Sequence, residues 1–324
     1  MRASGSTVCT SPIPNASAKR FHYALDRFFA PSLVPHSRTR EWPDEWPDEW
    51  PDNNGVLMYA DSIDKFASAG ALRVAMILRS PLAFLIGSAM AGAYIGFGDI
   101  LMFSVGSHVD PAYVHLIMGA VFACALTIVV FAGSDLFTGT AMYMPLALLR
   151  GETGVGGVVL VWVVCWIGNL IGAIVLAAVL HAAGGGVLLT DGAPVFFKAA
   201  EAKMAAPGLA LFSKGLLCNW LVCLAIWMAS RTNNDGAKLG LIFWPVFAFV
   251  ASGFEHSVAN MFVFALALMA DHPADVTLAG AIHNEVFVTL GNLAGGAVFM
   301  ALGYWLQDGN VGHPSKSRVP AAAQ

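Results

Sequence analysis

A glutamate and a histidine stand side by side in the middle of an apolar segment of this chain. Glu255 and His256 separate two stretches, residues 239–254 and 257–270, that contain no Asp, Glu, Lys, Arg or His. Each stretch is shorter than the ~20 residues that an α-helix needs to cross a bilayer. Because charge at membrane depth is costly and usually functional, the sequence predicts one membrane span that is interrupted at residues 252–256.

The whole chain is too apolar for a soluble domain, since 57% of its 324 residues are hydrophobic and only 12% are charged. The stretches without a charged residue or histidine are residues 81–98, 116–134, 136–149, 153–180, 215–230, 239–254, 257–270 and 286–307. Joining the stretches that flank Asp135, and those that flank Glu255 and His256, gives six spans. The sequence therefore predicts an all-α polytopic membrane protein whose second and fifth helices are broken.

A repeat relates the two halves of the predicted spans. Residues 133–135 in the second span are matched 120 residues later by residues 253–255 in the fifth. Asn169 in the third span is matched 123 residues later by Asn292 in the sixth, and each asparagine follows a glycine. Three spans reverse the direction of the chain, so the halves form an inverted-topology repeat, in which a site lies near the midplane where broken helices meet.

The length of the predicted second span indicates folded backbone at membrane depth. Residues 112–149 are too many for one crossing and too few for two crossings with a turn. Backbone without regular hydrogen bonds is tolerated there only inside protein or beside a water-filled cavity. The breaks at residues 133–139 and 252–256 are therefore predicted to line a pathway.

Four segments are predicted along the chain. Residues 1–57 are of low complexity, with Glu-Trp-Pro-Asp repeated three times, and are predicted to be a disordered extension that is either a docking segment or dispensable. Residues 58–79 are predicted to form an amphipathic helix at the cytoplasmic interface. Residues 80–306 are the predicted transmembrane domain, and residues 307–324 a cytoplasmic tail.

The distribution of Lys and Arg predicts the orientation, because short cytoplasmic loops retain positive charge. With the N-terminus inside, Lys198, Lys203 and Lys214 are the basic residues on the outer side, and all others lie inside. Both termini are therefore predicted to be cytoplasmic.

The first break offers two glycines, Gly133 and Gly139, for an unwound loop. Asp135 is predicted to accept backbone N–H bonds at the start of the second half-helix. Thr138 either shares that capping role or turns its hydroxyl, a donor and an acceptor, toward a permeating solute.

The second break carries the residues of most interest. Gly253 and Glu255 take the places of the first glycine and the aspartate, so Glu255 is also predicted to be a cap. His256 has no counterpart in the first half. A histidine there either is a satisfied polar group or has a function, since its neutral ring donates a hydrogen bond to an anion and its charged form carries a proton.

Further polar residues occur along the predicted spans. Asn169 and Asn292 are predicted to bridge neighbouring helices at close glycine contacts, and Asn219 on the fourth span resembles them. Lys203, in the predicted outer loop, either draws anions into a vestibule or is a solvated loop lysine. Residues 283–285, His-Asn-Glu, are interpreted as an interfacial cap of the sixth span.

No pattern in the sequence indicates a metal, a cofactor or a nucleic-acid partner. Four of the five cysteines fall inside apolar spans, without disulfide or ligand spacing. The net charge is −4, and the basic residues form no run.

Several stretches together resemble the formate/nitrite transporter family, and its nitrite channels most closely. The matching stretches are residues 88–94, 133–139, 214–229, 251–261 and 288–305. The likeness runs from Met58 to about Trp305 and leaves residues 1–57 without a counterpart.

This resemblance implies a homopentamer in the membrane, with one pore in each subunit and an aquaporin-like fold of six helices. It implies that Thr138 and His256 contact the solute, with Glu255, Asn219 and Lys203 around that histidine and in the outer vestibule. The apolar constrictions implied by the match are Leu126, Leu136 and Phe249, with Phe122 fitting less closely.

The expected function is passage of a small monovalent anion, most of all nitrite, across a bacterial inner membrane. The alternatives within the family are formate, lactate or hydrosulfide. An intramembrane enzyme that uses Glu255 and His256 is a remote alternative, because the chain lacks a second ligand at metal spacing and a nucleophile motif. A sensor without transport would not explain two broken helices with paired acidic residues.

Overall fold

The structure, a computed structural model, describes residues 59–308, which form helices and connecting loops without a β-strand. The helices are α1 Ala60–Arg79, α2 Pro81–Gly106, α3 Val114–Ala132, α4 Phe137–Leu149, α5 Val155–Ala182, α6 Ala193–Ala205, α7 Gly208–Ala229, α8 Asp235–Ala251, α9 Ser257–Met269, α10 Leu278–Ala294 and α11 Gly303–Gln307. A 3-10 turn covers Gly186–Leu189, and a π-helix, Gly295–Leu302, joins α10 to α11. The predicted extension 1–57 and most of the predicted tail 307–324 lie outside the described residues.

Five helical segments of residues 59–308 are long and apolar enough to cross a membrane. They are α2, α3, α5, α7 and the continuous segment Leu278–Gln307. Two shorter apolar helices, α4 and α9, each follow a break. Pairing α3 with α4 and α8 with α9 fits the six predicted spans. The predicted all-α fold is confirmed, and the protein is an integral membrane protein.

Helix α1 packs along the bundle through one apolar face. Ile63, Phe66 and Ala67 on that face are buried, whereas Leu72 on the opposite face is largely exposed. The ring of Phe66 stacks on Tyr143 of α4 with centroids 5.1 Å apart. This packing brings the C-terminal half of α1 to the first break.

The inverted repeat is visible in the packing of the helices. Helix α2 packs along α5, as α7 packs along α10, and α3 packs along α8 across the two halves. Gly172 and Gly295 are equivalent in the repeat, and a Cβ on either would collide with a backbone carbonyl oxygen, of Ala89 and Leu216 respectively. Glycine at these positions allows the paired helices to approach closely.

Two elements differ from the prediction. The segment predicted as an outer loop contains helix α6, which carries Lys203. Helix α10 begins at Leu278, where the Thr277 hydroxyl accepts a 3.0 Å hydrogen bond from the Gly280 amide. The predicted interfacial cap at residues 283–285 is therefore wrong, because those residues lie inside the helix, one turn beyond its capped start.

Candidate functional site

The two breaks share one backbone geometry. Gly133 follows α3 with φ of +71°, and Gly253 follows α8 with φ of +69°. Glycine adopts this left-handed conformation without strain and ends a helix there. The chain then runs extended through Leu136 and His256, and the half-helices α4 and α9 begin at the next residue.

One asparagine secures the first break. The Asn169 side-chain oxygen accepts a 2.9 Å hydrogen bond from the Phe137 amide at the start of α4. Its nitrogen donates to the carbonyl oxygens of Ser88, at 2.7 Å, and Asp135, at 3.0 Å. A fully buried amide thus ties α2, α5 and the break together.

Asn292 repeats this arrangement at the second break. Its oxygen accepts a 2.9 Å bond from the Ser257 amide, and its nitrogen donates to Gly215 O at 2.7 Å and Glu255 O at 3.1 Å. Because buried backbone groups need partners, the paired asparagines give each break the hydrogen bonds that an uninterrupted helix would supply.

The acidic residues do not cap the half-helices, so that part of the prediction is wrong. Asp135 forms an ion pair with Arg73 of α1 at 2.8 Å, and Glu255 forms one with Lys203 of α6, also at 2.8 Å. Each asparagine oxygen already occupies the first free amide of its half-helix. A basic partner prevents each buried carboxylate from being an unpaired charge, which would be strongly destabilising.

His256 lies where the two half-helices meet. Its Nδ1 accepts a 3.2 Å hydrogen bond from the Ala259 amide, and its Nε2 lies 3.2 Å from the hydroxyl oxygen of Thr138. An Nδ1 that accepts a bond carries no proton, so the neutral ring has its proton on Nε2. The N–H of His256 therefore points at the α4 side of the junction.

Glu255 belongs to a closed network on the α6 side of the junction. Asn260 Nδ2 donates 2.8 Å bonds to Glu255 Oε2 and to Asn284 Oδ1. Asn284 Nδ2 donates a 2.8 Å bond to the backbone oxygen of Lys203, whose ammonium pairs with Glu255. The ring of contacts fixes the Lys203 side chain beside His256.

The Asn219 side chain donates hydrogen bonds to two backbone carbonyl groups. Its nitrogen donates to the carbonyl oxygen of Thr138, at 3.1 Å, and to that of Asn292, at 2.6 Å. Neither Asn219 nor Thr138 lines either of the two cavities beside the breaks. The contacts of Asn219 bridge backbone segments, as its likeness to Asn169 and Asn292 indicated, and they support Thr138. The place around His256 that the resemblance implied for Asn219 stays a prediction.

A cavity lies beside each break. The outer cavity, named for its side of the predicted orientation, has a volume of about 260 Å³ and is lined by Lys203, His256, Phe122 and Phe249 among others. The inner cavity, of about 160 Å³, is lined by Arg73, Leu126, Leu136 and Gly139 among others. Of the four predicted constriction residues, the two phenylalanines therefore line the outer cavity and the two leucines line the inner cavity.

The phenylalanines pack close to the histidine. Phe122 and Phe249 meet edge to face with centroids 6.2 Å apart, and Phe249 stacks on the His256 ring at 6.1 Å. Apolar rings thus flank the His256 side of the junction.

Sequence reasoning missed Arg73, Asn260, Asn284 and Asp99 as residues of this region. Asp99 lines the outer cavity at 1% exposure, and it directly follows the charge-free stretch 81–98. Because apolar residues 100–103 continue the run beyond it, an ionisable residue within an apolar segment was a signal that could have identified it. The other three depend on contacts between distant segments.

The arrangement favours a small anion. Two half-helix N-termini, an imidazole N–H, a hydroxyl and a lysine converge at a buried junction between two cavities, and all of these attract negative charge. Within residues 59–308, no three His, Cys, Asp or Glu side chains cluster as metal ligands would. Fold and site together define a membrane channel or transporter built on an inverted repeat.

Comparison with known proteins identifies the family. The family profile described as Formate/nitrite transporter matches residues 60–306. The nitrite transporter NirC of Escherichia coli (strain K12) is 48% identical over 248 residues, which are 76% of this chain and 92% of that protein. The chain belongs to the formate/nitrite transporter family, as the resemblance implied, and its family consists of transporters and channels rather than enzymes.

Two solved structures agree with this family assignment. A structure described as an FNT family ion channel is 48% identical, with a TM-score of 0.74, and the match covers 76% of this chain and 99% of that one. A structure described as a pentameric formate channel with formate bound is 29% identical, with a TM-score of 0.61, covering 71% of this chain and 98% of that one.

Proposed function

We propose that this protein conducts small monovalent anions, and nitrite above all, through a pathway that joins the outer and inner cavities at Thr138 and His256. The observation that carries the proposal is the position of the His256 N–H and the Thr138 hydroxyl at the meeting point of both half-helices. The 48% identity to a nitrite transporter favours nitrite over other anions.

The proposed route begins in the outer cavity. Lys203 and Lys214 give that cavity positive charge, which raises the local concentration of an anion. The solute then takes hydrogen bonds from His256 Nε2 and Thr138 Oγ1 in place of the bond that they form with each other. Asn219 bonds to the backbone of Thr138, and Asn292 bonds to the backbone directly after His256, so both groups are held in position.

The apolar residues on either side of the junction oppose the passage of a charged solute. A bare charge between Phe122 and Phe249, or between Leu126 and Leu136, loses its hydration at a cost of several kcal/mol. We propose that the solute crosses these constrictions as the neutral acid or with a compensating proton. Nitrite and formate both become neutral by taking up one proton, so both fit this route.

Formate is the second candidate substrate, because the 29% identical structure is described as a formate channel with formate bound. Lactate and hydrosulfide are further anions of the same kind. We also propose a homopentamer, from that same structure's description, in a bacterial inner membrane with both termini cytoplasmic. In this layout residues 1–57 are an extension, residues 58–79 an interfacial helix, residues 80–306 the channel domain and residues 307–324 a tail.

Stopped-flow uptake into liposomes tests the proposal. Nitrite and formate are supplied separately, at about pH 5.5 and about pH 7.5, to vesicles with the wild type, with His256→Asn or without protein. We expect fast nitrite uptake by the wild type and a large loss of that uptake in His256→Asn at both pH values. Formate uptake faster than nitrite uptake would assign the chain to the formate channels, and uptake of neither would refute transport.

A further inference from the structure

Asp99 is an acidic residue without an ion pair or a hydrogen bond in the described part of the chain. It lies on α2 at 1% exposure, and both of its carboxyl oxygens are buried without a hydrogen-bond partner among residues 59–308. The other two acids of the region, Asp135 and Glu255, each pair with a basic residue at 2.8 Å. An isolated carboxylate inside a membrane protein is costly, whereas a protonated carboxyl avoids most of that cost.

The side chain lines the outer cavity, which the proposed route crosses. Helix α3 packs against α2 and brings the Cys124 thiol into the electrostatic surroundings of Asp99. The titratable or charged side chains that line the cavity with Asp99 are His115, Lys203, Lys214, Glu255 and His256. Among these, Lys203 is already paired with Glu255.

The charge of the cavity depends on the state of Asp99. With both histidines and Asp99 neutral, two lysines outweigh one glutamate, and the cavity is positive. With Asp99 ionised, the charges cancel, and an entering anion also meets a carboxylate directly. A neutral Asp99, in contrast, offers its O–H as a hydrogen-bond donor to the anion.

We propose that Asp99 is a second solute-contacting group and the proton-dependent filter of the outer cavity. Its neutral carboxyl donates a hydrogen bond to the anion, and its ionised form excludes anions from the cavity. The inference rests on the proposed function, because the solute has to be an anion. It adds a control of entry that is separate from the junction of Thr138 and His256.

The test compares Asp99→Asn with the wild type in stopped-flow nitrite uptake at about pH 5.5, 6.5 and 8. The asparagine keeps the shape and a donor but never ionises. We expect wild-type uptake to fall with rising pH, and Asp99→Asn to take up nitrite several-fold faster than the wild type at the highest pH. A pH profile of Asp99→Asn that matches the wild type would overturn the proposal.

Glu285→Gln is the matched control. Both oxygens of Glu285 are also buried without a partner in the described part of the chain, but Glu285 lines an apolar groove with Trp166 and Leu290 rather than the outer cavity. We expect its pH profile to follow the wild type. Equal flattening by both substitutions would show a general effect of removing a buried carboxyl and would overturn the assignment to Asp99.

Infrared spectroscopy of the whole protein gives a second measurement that does not depend on flux. The wild type is expected to show a carbonyl band of a protonated carboxyl that weakens as the pH is raised, and Asp99→Glu is expected to shift it. The lack of such a band at about pH 5.5 would refute a neutral Asp99. If the wild type takes up neither nitrite nor formate, the proposed function fails, and the band still decides the state of Asp99.

Discussion

The two helix breaks have the same scaffold and different chemistry. In each, a glycine in the left-handed region ends a helix, an asparagine from another span holds the backbone, and an acid forms a 2.8 Å ion pair. At the residue after the acid, the first break has Leu136 and the second has His256. The repeat thus gives both breaks the same backbone support. The proposed solute contacts, in contrast, lie at positions where the two halves carry different residues.

The asparagines test the shared scaffold and are expected to have the largest effect. Asn169→Leu leaves the Phe137 amide buried without a partner, at roughly 1–3 kcal/mol. It also removes the side-chain bonds to Ser88 O and Asp135 O, although Asp135 O keeps a bond from Cys165 Sγ. Asn292→Leu removes the same set of bonds at the second break. We expect both variants to lose most of their thermal stability in detergent, measured as Tm. Tolerance of one with collapse of the other would contradict equal support.

Substitutions at the two ion pairs are expected to affect different properties, stability at the first break and transport at the second. Arg73→Met leaves Asp135 without its charged partner, at about 3 kcal/mol for a buried pair. After Lys203→Met, Glu255 still accepts a 2.8 Å bond from Asn260. We expect Arg73→Met to lower the Tm more, and Lys203→Met to reduce nitrite uptake more at low nitrite concentration. A larger loss of nitrite uptake in Arg73→Met would place the anion-attracting cation at the first break. A larger loss of Tm in Lys203→Met would show that the bond from Asn260 does not compensate Glu255.

His256→Leu makes the second break match the first in chemistry. The change removes one hydrogen bond to a charged solute, worth about 1.5–3 kcal/mol, and we expect nitrite uptake to fall by about 10- to 100-fold. Leu136→Met, which conserves volume at the equivalent position, serves as the control and should keep near wild-type uptake. Intact assembly in gel filtration is required of both. Full uptake by His256→Leu would remove the histidine from the mechanism.

Thr138→Val is expected to have the smallest effect. It replaces a hydroxyl by a methyl of similar size and removes one neutral hydrogen bond, worth about 1 kcal/mol, so nitrite uptake should fall by about fivefold. Thr138→Ser keeps the hydroxyl and should recover most of the uptake. A serine variant as slow as the valine variant would indicate that the methyl group, rather than the hydroxyl, is what the pathway needs.

The breaks were predictable from the sequence because their signals are local. Residues 133–139 and 252–256 were identified by a glycine close to an acidic residue in an apolar run. The recurrence of this pattern 120 residues later supported the assignment. The partners of the acids were not predictable, because α1 and α6 bring Arg73 and Lys203 from 62 and 52 residues away. The predicted capping by Asp135 failed since Asn169 reaches the same amide from 32 residues later.

Nitrogen-15 NMR of the His256 ring can detect solute contact at that histidine without a transport assay. The protein is labelled at its histidines, and His256→Asn identifies the signals of that ring. We expect a neutral ring with its proton on Nε2. The Nε2 signal should shift on addition of nitrite, while the Nδ1 signal should change little because Nδ1 accepts a bond from the Ala259 amide. An Nε2 signal that stays unchanged at a nitrite concentration that saturates uptake would contradict solute contact at His256.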